Sequence, residues 1–348
     1  MNTYISDKTL KKSFARTGSA VNIIFPLLTA AFCAYLLLHP HISPEAVRNS
    51  LNFCLTTLIP SLFPMMVAGE ILILSGFGAI CAKSVGGAFS RIFGIRGEGA
   101  AAFALGCVCG YPVGGKTALS LYGEGKIERS ECEFLCALSN NAGPGFVIAG
   151  IGGVMWGNVG FGVILYVTEL ISAVLAGLLL KPLFIKNKPA PPAPDKTKEN
   201  IPVYDAEKRR SLSEIFSVSV ASGVTSILKV CGFVVLFEIL LTGIFSMIPD
   251  IPGKDLLTCI IAAVSEITSG AVNANTFALS GANSTLIFGR IITFALVSWG
   301  GLSAHMQLNA FASEKKLILK KYYLVKAASA AISAVIGCIL SILPLLMF

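Results

Sequence analysis

The chain reads as an all-α polytopic membrane protein, an inverted repeat with two opposed re-entrant helical hairpins, two broken transmembrane helices and about seven full spans. Three observations lead there. The composition suits lipid: 54% of residues are hydrophobic, 13% are charged and the mean hydropathy is +0.76, whereas soluble domains carry about 25% charge. Two apolar segments, Gly99 to Leu121 and Leu256 to Gly281, are interrupted halfway by turn residues. Each arm is about ten residues, ~15 Å of helix, which reaches only the middle of a hydrocarbon core about 30 Å thick. Finally, residues 43–73 lie over 211–241 without a gap, placing Glu70-Ile71-Leu72 on Glu238-Ile239-Leu240.

Spans are expected at 20–38, 51–82, 132–155, 159–181, 212–247, 284–311 and 327–347. The run from Ala20 to Leu38 follows a polar tail and shows no small-residue cleavage site, so it reads as an uncleaved first span. The domains are then a cytoplasmic tail with its span (1–42), a first repeat (43–182), a basic cytoplasmic linker (183–210) and a second, inverted repeat (211–348). Ser43-Pro44 and Ser211 with Glu214 carry helix N-cap chemistry.

The net charge of +8 does not point to nucleic acid. Basic residues gather at Lys8, Lys11, Lys12 and Arg16, from Lys181 to Arg210, and from Lys315 to Lys326. These read as loops held inside, which puts the N-terminus in the cytoplasm and the C-terminus outside. If the first hairpin crossed the membrane, the basic linker would be exported. Parity therefore favours re-entry, the first hairpin from the cytoplasm and the second from outside.

Lys116, Lys229, Arg290, Glu70, Glu169, Glu238 and Glu266 are left inside apolar segments. Each costs about 2.5–3.5 kcal/mol at the bilayer centre, so each should face the protein interior. Glu169 and Arg290 read equally well as structural ion pairs. Glu70 and Glu238, equivalent in the two halves, are expected to stabilise the hairpin tips or couple to an ion. Lys229 lies nine residues before Glu238, half a turn out of phase, and needs another partner.

The first hairpin breaks at Gly110-Tyr111-Pro112, just before Lys116; the second has Ser265-Glu266 and Ser269-Gly270 at its tip. Two spans are also interrupted, at Ser139-Asn140-Asn141-Ala142-Gly143-Pro144-Gly145 and between Trp299 and Gln307, a stretch that includes His305. Unwound carbonyls favour a cation and the following helix N-termini an anion. The bland alternatives are a kink with Asn capping its own backbone and a buried, satisfied histidine. The candidate substrate-binding set is Tyr111, Lys116, Asn140, Asn141, Lys229, Ser265, Glu266, Ser269, His305 and Gln307. No catalytic chemistry, metal cluster or cofactor is expected beyond a coupling Na+ or H+. The ten cysteines read as small packing residues.

At GYPVGGKTA, NNAGPGFVI, SEITSG and WGGLSAHMQ, and over about residues 45 to 345, the chain resembles the YlbJ (SpoVV) family of sporulation integral membrane proteins. That family belongs to the wider group with the nucleoside-recognition Gate domain and is similar in architecture to concentrative nucleoside transporters. The resemblance implies a substrate site between two opposed hairpins and two unwound helices. It also implies a bacterial membrane carrier, in the mother-cell-derived outer forespore membrane, that moves dipicolinic acid toward the developing spore. Homo-oligomers occur in the wider group. Pyridine-2,6-dicarboxylate is a flat dianion, whose charge Lys116, Lys229, Asn140, Asn141 and hairpin-tip amides could offset. Two other readings are open. One is a cation-coupled nucleoside or nucleobase permease using Asn140, Asn141, Glu238, Ser265, Glu266 and Gln307; the other is a non-transporting protein of the spore envelope.

Overall fold

The computed structural model describes residues 19–185, 211–281 and 283–346. The basic tail and nearly all of the basic linker lie outside these residues. Among the described residues there is no strand. Five stretches are long and apolar enough to cross a membrane: Ile42–Leu74, Val159–Leu183, Leu212–Met247, Asn283–Glu314 and Tyr322–Ile342. Burial is inverted relative to a water-soluble helix. On α9 (Val159–Leu180), Val163, Val167, Ile171 and Leu175 form an exposed apolar stripe at one-turn spacing, while Glu169, Ser172, Ala173 and Ala176 are buried. An exposed apolar stripe opposite a buried polar one is what a lipid solvent selects.

The expected span 20–38 forms α1 (Ser19–Leu38), and Phe25, Leu27, Leu28, Leu37 and Leu38 on it are exposed. The next span differs from the expected 51–82. Helix α2 (Ile42–Leu74) begins at Ile42, with His41 rather than Ser43 before it. It ends at Leu74 because Gly76 turns left-handed, at φ 85°, and two short helices follow, α3 (Phe77–Ser84) and α4 (Gly86–Phe93). Within α2, Ile59 N–H donates to the Cys54 carbonyl, one residue further back than in a regular α-helix. Pro60, which follows at once, has no N–H to continue the regular ladder.

Two helical hairpins follow the long helices of each half. Helices α5 (Gly99–Cys109) and α6 (Val113–Gly123) meet at the turn Gly110-Tyr111-Pro112, which contains a cis Tyr111-Pro112 bond. Their axes converge on glycine. A Cβ on Gly114 would lie 2.6 Å from the Gly106 Cα, and Cβ atoms on Gly106 and Gly114 would lie 2.1 and 2.2 Å from the Ser139 carbonyl oxygen. In the second half, α11 (Lys254–Ser265) and α12 (Ile267–Leu279) turn at Glu266, and a Cβ on Gly270 would lie 2.7 Å from the Ala263 Cα.

The expected span 132–155 is two helices, α7 (Arg129–Ser139) and α8 (Gly145–Met155), separated by Asn140–Pro144. The corresponding pair is α13 (Asn283–Trp299) and α14 (Gly301–Glu314), broken at Gly300 and Gly301 with φ of 88° and 80°. Only Gly300 lies between the two helices, so His305 and Gln307 are on the helix that follows the break. Long α9 closes the first half. The second half opens with α10 (Leu212–Met247), whose Glu214 N–H donates to the Ser211 hydroxyl at 3.2 Å as the cap chemistry requires, and closes with α15 (Tyr322–Leu346). Thus the order long helix, hairpin, broken helix, long helix occurs twice. Helices α2 and α10 pack together, with Gly223 lying against Val67 and Phe63.

Candidate functional site

Each hairpin tip is seated on the broken helix of its own half. Tyr111 N–H donates to the Asn141 carbonyl at 2.7 Å, and Gly110 lies so close to Gly143 that a Cβ would be 2.4 Å from the Gly143 nitrogen. At the second tip, a Cβ on Gly301 would lie 3.0 Å from the Glu266 Cα, and Trp299 Nε1–H donates to the Val264 carbonyl at 2.9 Å. Glu266 caps α12 by accepting from Ser269 N–H at 2.8 Å.

The equivalent glutamates of α2 and α10 both reach the second arm of their own hairpin. Glu70 lies 3.7 Å from the Lys116 ammonium on α6, and Glu238 accepts a hydrogen bond from the Ser269 hydroxyl on α12. Each contact joins the long helix of its half to the second arm of the hairpin. The Lys229 ammonium lies 3.9 Å from the Glu314 carboxylate.

A small cavity of about 10 Å³ lies between the tips, with room for about one water. Tyr111 comes from the first tip, Glu266 and Thr268 from the second, and Ser303 and Gln307 from α14. Apolar walls are supplied by Leu58 and Leu62 of α2 and Val230 and Val234 of α10. The polar side chains are buried: Gln307 is 4% exposed, Ser303 and Glu266 1%. Of the predicted set, the cavity brings together Tyr111, Glu266 and Gln307. Ser269 stands one turn into α12 from the tip and Ser265 is half-buried at it.

Beside this cavity, along α10 and α14, lies a cluster of cationic and polar side chains, called here the vestibule. Ser222, Ser226, Val230 and Val234 recur every fourth residue on α10, and the Lys116 ammonium donates to Ser222 and Ser226 at 3.2 and 3.3 Å. On α14, Phe311 follows Gln307 by one turn. The Lys116 and Lys229 ammoniums lie 5.5 and 4.5 Å from the centre of the Phe311 ring, so two cations approach one aromatic ring. Side-chain exposure rises outward, from 26% at Lys116 to 40% at Lys229 and 63% at Glu314. The two ion pairs are long, 3.7 Å for Glu70–Lys116 and 3.9 Å for Lys229–Glu314.

Asn140, Asn141 and His305 are not at the cavity. They belong to a buried network behind the first break. Asn140 Nδ2–H donates to the Tyr322 hydroxyl at 2.9 Å, and that oxygen lies 2.8 Å from His305 Nδ1. His305 is enclosed by Trp299, Tyr322 and Tyr323, with ring centres 4.3, 5.2 and 5.3 Å away. Asn141 Nδ2–H returns to the Leu138 carbonyl at 2.7 Å, the self-capping arrangement. Lys326 completes the network. Its ammonium donates to the Asn140 carbonyl at 3.1 Å and to Asn141 Oδ1 at 3.3 Å. Glu169 accepts from Ala142 N–H at 2.6 Å and lies within electrostatic reach of Lys326. Arg290 stacks over Phe161, with 5.8 Å between its guanidinium carbon and the ring centre.

Sequence reasoning missed Lys326, Phe311, Ser222, Ser226, Thr268, Ser303 and Tyr322. The expected last span starts at residue 327 and leaves Lys326 in a loop, whereas α15 begins at Tyr322. A signal for the vestibule was present in the serines at 219, 222 and 226, a polar stripe at helical spacing on an otherwise apolar helix. Nothing in the sequence distinguishes Phe311 from the other phenylalanines.

No family model matches the chain, and no solved structure matches it. Among curated proteins, the chain is similar to the sporulation integral membrane protein YlbJ of Bacillus subtilis (strain 168), 26% identical over 343 residues. The alignment covers 89% of this chain and 81% of that protein. That likeness and the five long apolar helices agree: the protein is an integral membrane protein.

Proposed function

We propose that the protein is a secondary carrier that moves a small aromatic dicarboxylate, dipicolinic acid in spore formation, by alternating access. The observation that carries this is the convergence of Lys116 and Lys229 on the Phe311 ring, one helical turn along α14 from Gln307 of the inter-tip cavity. Two ammoniums match two carboxylates, and the ring offers a flat partner to a pyridine. The likeness to a sporulation membrane protein supports the biological setting. In this reading the hairpins are re-entrant, entering from opposite sides, the two halves form an inverted repeat, and α1 and α7–α8 bring the spans to seven. The N-terminus is cytoplasmic and the C-terminus outside. The vestibule, at the start of α10 and the end of α14, then faces the cytoplasm. With room for only about one water between the tips, the conformation described is closed around the site, and the substrate enters when the tips part.

Binding tests the reading. Dipicolinate should raise the melting midpoint of the purified wild-type protein saturably, and benzoate, with one carboxylate, should raise it less. No response to dipicolinate up to millimolar concentration would count against the assignment.

A second reading, a cation-coupled nucleoside carrier, draws on the cavity itself. Tyr111, Thr268, Ser303 and Gln307 are neutral hydrogen-bonding groups beside Glu266, a lining suited to a ribose and a base. Stabilisation by uridine and not by dipicolinate would select it.

A further inference from the structure

The break between α7 and α8 frees backbone groups of both signs among residues that are buried, Asn140, Asn141 and Ala142. Both signs are met from within the chain. The Lys326 ammonium, on the second turn of α15 and 1% exposed, donates to the Asn140 carbonyl at 3.1 Å and to Asn141 Oδ1 at 3.3 Å. The Glu169 carboxylate, on α9 and fully buried, takes the Ala142 N–H at 2.6 Å. Unwound carbonyls in a membrane carrier form the natural ligand set for an alkali cation. Here a lysine ammonium, a compact point charge with three donors, takes one such carbonyl, that of Asn140, together with the side-chain oxygen of Asn141. Its countercharge is anchored one residue further along the same break.

We propose that Lys326 is a built-in cation that occupies the place of a coupling metal ion at this break, so that the break is held together without sodium. The tip of the first hairpin is hydrogen-bonded to the same segment through Tyr111 and Asn141. Lys326 therefore positions the tip through the break and touches no substrate. The proposal deepens the carrier reading by making its first half independent of sodium. Its test needs no substrate, so failure here is distinct from failure of the dicarboxylate assignment.

The test is thermal melting of the purified protein in sodium chloride and in choline chloride at equal ionic strength. Wild-type protein should show the same midpoint in both. Lys326→Ala should melt several degrees lower and acquire a saturable upward shift with sodium or with ethylammonium, which replaces the missing end of the side chain. A saturable sodium-specific shift of the wild-type protein would overturn the proposal, as would a Lys326→Ala variant that responds to neither cation. Should Lys326→Ala fail to accumulate, membrane abundance of Lys326→Arg and Lys326→Met decides: Arg retained and Met lost supports the built-in cation, and equal abundance of the two overturns it.

Discussion

Tyr111 donates its backbone N–H to the backbone carbonyl of Asn141, 2.7 Å away, and so ties the turn of the first hairpin to the break in the helix beside it. Side chains play no part in that bond. It depends on close backbone approach, which the glycines at 106, 110, 114 and 143 permit. The second tip is seated on Gly301 by the same kind of contact. Two interruptions that would each be costly alone satisfy one another, and the space left between the two tips is the candidate site.

The seating predicts a sharp steric limit. Gly114→Ala places a Cβ 2.2 Å from the Ser139 carbonyl oxygen, a backbone atom that cannot move aside cheaply. The expected loss is about 1–3 kcal/mol or more of stability, seen as a lower melting midpoint and reduced membrane abundance. Gly87→Ala, whose Cβ meets nothing within 4 Å, is the control and should be unaffected.

Lys116→Ala and Lys229→Ala should each abolish dicarboxylate transport at normal abundance. Their ion pairs are long, 3.7 and 3.9 Å, and none of the four side chains is fully buried. Immunoblotting of membranes beside uptake separates the two effects. Full uptake by Lys116→Ala would remove that residue from the site.

Glu238 and Ser269 should behave as one unit, because the Ser269 hydroxyl donates to the carboxylate. Glu238→Gln and Ser269→Ala are each expected to slow transport. The double variant should be little slower than either single one, with a coupling energy of about 0.5–3 kcal/mol in the cycle. Additive losses would mean that the bond does not set the tip.

The proposed topology is checked by labelling. On a background with the native cysteines replaced, a cysteine at Gly125, in the exposed turn after α6, should react with an impermeant reagent only from the cytoplasm. One at Asn283, at the start of α13, should react only from outside. Labelling of both from one side would contradict the inverted repeat.

The interruptions were legible in the sequence because they are local. Glycine, proline and asparagine inside an apolar run announce a break wherever they stand, and Gly110-Tyr111-Pro112, Asn140–Gly143 and Gly300-Gly301 all fall where turn chemistry puts them. The shared glutamates were legible through the gapless match of the two halves. What those polar residues bond to was not. Asn140 and Asn141, read as substrate ligands, are held by Tyr322 and Lys326, more than 180 positions along the chain. His305 faces the same tyrosine, and no periodicity reports a contact of that range. Phe311 was hidden for a related reason, since an aromatic residue on an apolar helix carries no mark of the two lysines that approach it from other helices.

In the proposed carrier, Lys116 and Lys229 receive the substrate dianion beside the Phe311 ring. The most direct measurement is uptake of labelled dipicolinate into proteoliposomes containing the wild-type protein or the Lys116→Ala/Lys229→Ala double variant, with uridine uptake measured in parallel. Saturable dipicolinate uptake by the wild-type protein, lost in the double variant and unmatched by uridine, is the predicted result. Absence of dipicolinate uptake by correctly inserted wild-type protein, or uptake undiminished without the two lysines, would contradict it.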